Sequence, residues 1–408
     1  MGGKAGTGSH RRGAGGARAL SSGRRLSRLS RPGGPVRSPA HFTIDRKRVS
    51  MMSVQLYSGS LALVRRSGVG RAVEHQREML RQAGIATTDR AGPGVGVVHC
   101  NTVFPDSLLA ALWSRLRGRK VVYYGHSTEE DFRNSFRGSN LLAPLFRRWI
   151  KLCYESGDVV ITPTEYSRRL LLSYGVRRPV YSLSNGIDTD FFSFTPARRQ
   201  AFRRKYGLSE SDKAVISVGH YIARKGLPEF VELARSMPEA RFFWFGYTNL
   251  ELVPPEIRAA IASAPENLAF PGYVEKAELR DAYCGCDVFA FLSHEETEGI
   301  VVLEALACGI PTVVRDIPVY AGWLSDGGNV YKAADGAGFR QRVQGLLDGS
   351  LPSLAEAGLR TARSRSMAAV GAKLKAIYER EHLPYGESAP AERSAHGAAL
   401  GGFPASRA

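Results

Sequence analysis

AVISVGHYIARKGLPEFVELARSM, residues 214–237, reads as a strand, a turn and a helix in direct succession. AVISVG is a short apolar run of the kind that lies inside a sheet covered on both faces. LPEFVELARSM is helical, and Gly219, His220, Arg224, Lys225 and Gly226 make the turn between them. Gly219 and Gly226 permit close backbone approach, while Arg224 and Lys225 supply cationic donors where a helix begins. Such helix starts bind phosphates through backbone N–H groups and the helix dipole. Taken alone, the turn is equally an ordinary strand–helix connection with a solvated Arg-Lys pair. It is neither a Walker loop nor a dinucleotide fingerprint.

The same alternation runs through most of the chain. SVQLY (53–57), VGVVHC (95–100), VVYYGHS (121–127) and DVVITPT (158–164) read as strands. Between them lie SGVG (67–70), which leads into a helix ended by Gly84, then SLLAALWSRLRG, and later YSRRLLLSYG. A second series starts after SNGIDTDFFSF (184–194), with RFFWFG, NLAFPG, DVFAFLS and TVVR following the opening strand. Strands alternating with helices imply parallel sheets, so two doubly wound α/β domains are expected, at 51–190 and 191–384. Residues 353–380 are helical and close the second. Ligands of such sheets bind beyond the carboxyl ends of the strands, which places the site in the cleft between the domains.

Composition bounds the partners. The length of 408 residues favours two domains, and a hydrophobic content of 43% is ordinary for a globular protein. No apolar run approaches the roughly 20 residues of a membrane span. Five cysteines, Cys100, Cys153, Cys284, Cys286 and Cys308, are few and odd in number, which suits buried thiols in a reducing compartment. The net charge of +18 suggests nucleic acid until it is located: residues 1–50 hold twelve Lys or Arg against Asp45 alone. That Gly-, Ser- and Arg-rich leader has no apolar period and is expected to stay unfolded, as is the tail 385–408. Translation from Met51 or Met52 is an alternative reading. With the charge concentrated at one end and no recognition motif, no nucleic-acid partner is expected; a nucleic-acid-binding protein acting through the leader is the reading from a different class. Arg147–Arg148 beside Trp149, Arg168–Arg169 and Arg177–Arg178 are solvated helix faces or, together, a surface for anionic lipid.

HEETEGIVVLEALACGIP (294–311) sets Glu296 and Glu304 eight positions apart. A glycosidase pair would stand roughly 5–9 Å apart across one bond. Here Glu296 lies in a loop and Glu304 begins a helix that Gly309 caps, so the two point at different parts of a long ligand. Metal binding lacks histidines in ligand spacing. Ionised carboxylates accept paired hydroxyls well, which favours grips on a sugar-bearing ligand. Asp188-Thr189-Asp190 mimics a metal motif but follows Asn185-Gly186, where turn residues are expected.

SNGIDTDFF, GHYIARKG, NLAFPGYV and EETEGIVVLEALACG, in this order, resemble the retaining GT-B glycosyltransferases of family 4 over roughly residues 52–380. HSTEEDFRNSF (126–136) and SHEETEGIVVLEALACGIPTVVRDIPVYAGW resemble the bacterial diacylglycerol and glucosyl-diacylglycerol glycosyltransferases. The resemblance implies a UDP-sugar donor, a diacylglycerol-type acceptor and no essential cofactor or metal. It implies a place in the cytoplasm on the inner membrane face. The expected reaction moves a hexose to glucosyl-diacylglycerol. The alternatives are transfer to diacylglycerol itself, making the monoglucosyl lipid, or the same chemistry on a soluble saccharide. Lys225 then neutralises the donor diphosphate. His220 stands where the family usually carries arginine, and Arg224 supplies that charge. Glu296 holds the transferred sugar and Glu304 the ribose. Gly299, Ile300 and Val301 offer N–H groups to the diphosphate, Gly272, Tyr273 and Val274 meet the base, and His126 contacts the donor sugar near the acceptor. Gly68, Gly70, Glu129 and Asp131 fall on the acceptor side, although turns and helix caps explain them equally well. Arg147, Arg148, Arg168 and Arg169 face the membrane.

Overall fold

The computed structural model describes residues 52–57, 59–60, 68–133, 135, 138–251 and 253–386. The leader 1–50, Met51 and the tail beyond Gly386 lie outside the described residues. The first half contains β1 (Ser53–Tyr57), α1 (Gly68–Gln82), β2 (Thr87–Thr88), β3 (Val95–Cys100), α2 (Pro105–Leu116), β4 (Lys120–Tyr124), α3 (Glu129–Phe132), α4 (Ser139–Glu155), β5 (Val159–Thr162), α5 (Glu165–Ser173) and β6 (Val180–Ser182). These strands form one sheet in the order β2-β1-β3-β4-β5-β6, and every pairing is parallel. The apolar runs behave as a two-face-covered sheet demands: β3 and β5 are buried along their whole length.

The second half continues with α6 (Pro196–Lys205), β7 (Lys213–Val218), a 3₁₀ turn (Ala223–Lys225), α7 (Leu227–Arg235), β8 (Ala240–Phe245), α8 (Pro255–Ala262), β9 (Leu268–Gly272), α9 (Lys276–Gly285), β10 (Val288–Phe291), α10 (Ile300–Ala307), β11 (Thr312–Arg315), β12 (Tyr331–Ala333), α11 (Gly336–Leu347), α12 (Ala355–Arg363) and α13 (Met367–Arg380). Its parallel sheet runs β12-β11-β10-β7-β8-β9. The chain winds outward from β7 in one direction and from β10 in the other. The loops after those two strands therefore diverge over a crevice, where α/β sheets receive ligands. Those loops carry Lys225 and Glu296. In the first sheet the reversal falls between β1 and β3, and α1 begins beside it.

Two helices depart from the expected layout. Residues 353–380 break into α12 and α13 at 364–366, and α13 does not stay with the second sheet. Its Met367, Val370, Leu374 and Tyr378 are buried with Val54, Leu56, Met79 and Val122 in the core of the first. The crossing back is tied to the earlier crossing between the halves. Ile187 N–H donates to Arg365 O (2.9 Å) and Met367 N–H donates to Ile187 O (3.1 Å). All five cysteines are free and buried.

Candidate functional site

A cavity of about 350 Å³ opens where the carboxyl ends of the two sheets face each other. From the second half come Gly219, His220, Arg224, Lys225, Tyr273, Glu296, Thr297, Gly299, Ile300 and Val301; from the first come Gly68, Arg71, His126 and Asp131. Most of the expected residues therefore share one space. Gly70, Glu129, Gly272, Val274 and Glu304 do not line it.

The Arg224-Lys225 turn is held under β10 by Gly226. Its φ is +74°, and a Cβ there would meet Leu292 O at 2.4 Å, so only glycine fits. Lys225 Nζ pairs with the Glu296 carboxylate. Burial would raise the pKa of Glu296, but Lys225 and Arg224 outweigh it and hold the carboxyl below its usual range. Burial pulls Lys225 down, and Glu296 opposes that loss. The site thus presents a desolvated ion pair whose members can separate onto a ligand. Beside it, Gly299 at φ +85° starts α10, so the first N–H groups of that helix face the cavity.

Arg224 is only 11% exposed and turns away from Lys225. It pairs with Asp131 at 2.8 Å and donates to Glu295 O at 2.6 Å. His220 Nδ1 donates to Tyr247 O (3.1 Å), and burial lowers its pKa. His126, at the end of β4, is brought to about 4 by burial and is neutral at pH 7. Its Nε2 lies 3.3 Å from Asn101 Oδ1, which also accepts from Gln76 Nε2 (2.6 Å). A neutral imidazole fixed in this way orients a ligand hydroxyl rather than donating a charge.

Glu304 corrects the expected geometry. Because Gly299 lets α10 begin at Ile300, Glu304 sits a full turn inside the helix and not at its start. It is fully buried. One oxygen pairs with Arg71 of α1 and the other accepts from Tyr283 Oη at 3.0 Å. Glu304 raises the Arg71 guanidinium above its usual range despite burial. Arg71, which lines the cavity, was not singled out from the sequence; its place directly after the glycine-bearing stretch 67–70 was the available signal. Glu298 was also missed as a separate group. It accepts from Asn185 N (2.9 Å) and Nδ2 (2.8 Å), fastening the loop after β10 to the crossing between the halves.

The other residues expected at the site or the membrane fall outside the cavity. Asp188 Oδ1 accepts from the backbone N–H groups of Asp190 (3.2 Å) and Phe191 (2.9 Å), so the D-x-D text forms a turn. Glu129 is buried against Arg133 (2.6 Å) and Arg147 (3.4 Å). Arg168 and Arg169 both lean on Glu165, at 3.0 and 3.5 Å. Arg148 is exposed.

Comparison with known proteins gives a consistent result. Residues 198–357 match the family model of glycosyl transferases group 1, and residues 66–191 match glycosyltransferase family 4. A processive diacylglycerol alpha-glucosyltransferase of Acholeplasma laidlawii is 38% identical over 80% of this chain and 98% of its own. An alpha-galactosylglucosyldiacylglycerol synthase of Streptococcus pneumoniae is 25% identical over 67% of this chain and 73% of its own. Among solved structures, Anabaena Alr3699/HepE in complex with UDP and glucose superposes with a TM-score of 0.64 at 16% identity. That match covers 80% of this chain and 99% of the other, and it speaks to fold alone.

Proposed function

Since the chain belongs to the GT-B glycosyltransferases of group 1 and family 4, we propose that it moves a hexose from a UDP-sugar onto a diacylglycerol-type lipid with retention of configuration. The name of the Acholeplasma relative supports glucose as the sugar, and its word "processive" supports acceptance of both diacylglycerol and glucosyl-diacylglycerol. UDP-glucose carries its sugar in α linkage, so an α-glucoside product corresponds to retention.

The observation that carries the lipid reading is an exposed apolar face on the first half. Leu109, Trp113 and Leu116 of α2 are 66%, 56% and 80% exposed, and Leu141 and Leu145 of α4 are 86% and 64% exposed. Both helices root in the same core: Ala111 of α2 and Ile150 and Cys153 of α4 are buried together, and Trp149 Nε1 donates to Val103 O at 2.6 Å. Arg117 lies 4.3 Å over the Trp113 ring, and exposed Arg148 follows Leu145 by three positions on α4. Leucines and a tryptophan edged by guanidinium groups suit the headgroup region of an anionic bilayer. This centres attachment on α2 and α4; Arg168 and Arg169, paired with Glu165, contribute less. Among the described residues no helix is long and apolar enough to cross a membrane.

In the proposed reaction the C1–O bond to UDP breaks and the acceptor oxygen bonds to C1 on the same face. The departing β-phosphate takes the acceptor proton. Lys225, released from Glu296, and the N–H groups at the start of α10 stabilise the charge that develops there, while Glu296 and His126 hold sugar hydroxyls. Glu304 takes the ribose once Arg71 swings aside. Purified protein, labelled UDP-glucose or UDP-galactose, and anionic vesicles holding either lipid test the reading by product chromatography. A labelled α-glycolipid is expected, and Leu141→Ser with Leu145→Ser should cut both vesicle flotation and transfer. Transfer only to soluble saccharides, or unchanged flotation, would reject the lipid surface.

A further inference from the structure

The two loops at the reversal of the second sheet each carry a pair of neighbouring polar residues that face apart. Lys225 and Glu296 meet in the cavity already described. Arg224 and Glu295 instead border a second cavity, of about 540 Å³, with Glu130, Arg133, Glu229 and His294 around it. Arg224 lines both spaces.

The chemistry of the second cavity selects its occupant. Its ionic groups are largely answered from within. Glu229 accepts from His294 at 2.6 Å and lies 3.7 Å from Arg315, Arg224 pairs with Asp131, and Glu130 accepts from Tyr174. Among the described residues a charged ligand would find little uncompensated counter-charge. Yet, among the described residues, Glu295 Oε1 and Arg224 Nε are buried with no hydrogen-bond partner, one an acceptor and the other a donor. Burial, reinforced by Asp131 and Glu130, raises the Glu295 carboxyl to about 7, so it accepts or donates near neutrality. Groups of both kinds in a compartment without net demand for charge fit a neutral polyol, whose hydroxyls both donate and accept. The volume lies within the range of small-molecule sites.

We propose that this second cavity holds a hexose ring already attached to the acceptor, so that the protein grips two sugars at once, one on each side of Arg224. This rests on the glycolipid reading and adds the subsite that would let the enzyme's own product return as acceptor.

The test uses the full chain with its first cavity filled by a non-transferable phosphonate analogue of UDP-glucose, and methyl α-glucoside as probe. Saturation-transfer NMR should show contact with the glucoside ring in the wild type. That contact should be lost in Glu295→Leu, while affinity for the analogue is unchanged. Contact retained in the variant, or absent from the wild type, overturns the subsite. In vesicles, Glu295→Gln should raise KM for glucosyl-dioleoylglycerol about tenfold, the effect of one hydrogen bond to a charged group. KM for dioleoylglycerol should change by less than about twofold on the same scale. An equal change for both lipids overturns the proposal. A wild type that binds methyl α-glucoside but glycosylates neither lipid rejects the lipid reading and leaves the subsite standing.

Discussion

Removing Arg71 should expose how much the closed cleft depends on one ion pair. Glu304 is 0% exposed and Arg71 25% exposed, and 233 positions separate them, so the pair joins α1 of the first half to α10 of the second. Arg71→Ala leaves a buried carboxylate with Tyr283 Oη as its remaining hydrogen-bond partner. Stranding one member of a buried pair costs roughly 3–5 kcal/mol, and the partial exposure of Arg71 places the expectation near 3. Glu304→Gln removes the charge but keeps an oxygen for Arg71 and a group for Tyr283, so about 1–2 kcal/mol is expected. In the double variant the stranded charge no longer exists. Its loss should fall short of the sum of the single losses by about 2 kcal/mol, well above the roughly 0.5 kcal/mol scatter of independent sites. Urea unfolding of the four proteins, read by fluorescence and by far-ultraviolet dichroism, measures this. Additive losses would refute the coupling. Saturating UDP should narrow the gap between wild type and Arg71→Ala, because the ribose would then occupy the carboxylate.

Lys225→Ala should lower turnover by about 3–4 kcal/mol in activation energy while weakening UDP binding much less, since its charge matters most as the phosphate departs; wild-type turnover would remove Lys225 from the reaction. In calorimetric titrations Glu304→Gln should weaken UDP by about 1.5–3 kcal/mol, whereas Glu296→Gln should leave UDP affinity nearly unchanged and depress transfer; equal losses would show that the two carboxylates do not divide the donor between them. Stability should fall as pH drops below 6.5. Burial holds His75 and His126 at about 4 and His99 at about 3, so the unfolded chain takes up protons that the folded chain refuses. Each histidine adds up to about 1.4 kcal/mol per pH unit to the slope until its folded value is reached. Thermal melts between pH 7.5 and 4.5 should be flatter in His75→Gln; an unchanged slope would mean that His75 is not held neutral.

The central strands could be read directly because strands covered on both faces are continuous apolar runs, as VGVVHC and AVISVG show. Three of the four edge strands, Thr87–Thr88, Val180–Ser182 and Tyr331–Ala333, are two or three residues long and too short to carry a period. The destination of α13 was hidden for another reason. An apolar helix face announces that it will be buried, but not against which core. Site residues adjoining glycine turns, such as Lys225 and Gly299, announced themselves through local chemistry. Arg71 did not, because its importance comes from a carboxylate distant in sequence. For the arginine pairs the charge is visible in the sequence, while the partners Glu129 and Glu165 of Arg147, Arg168 and Arg169 emerge only from helix geometry.

The chain passes between its halves at residues 183–195 and again at 364–366, and Ile187 is hydrogen-bonded to Arg365 and Met367 where the passages meet. Two tethers fastened together at one edge behave like the pin of a door. They suppress twisting and sliding and leave a swing about a single axis. The lip of the cleft opposite that axis would then travel farthest, so a ligand of the cavity would be admitted from the rim rather than along the seam. Glu298, bonded to Asn185 at the pin itself, ties to this axis the loop that also carries Glu296. A chain cut between Ser364 and Met367 would keep both sheets and yet lose this guidance. Its domains should tumble with separate correlation times in NMR relaxation, where the intact chain should show one.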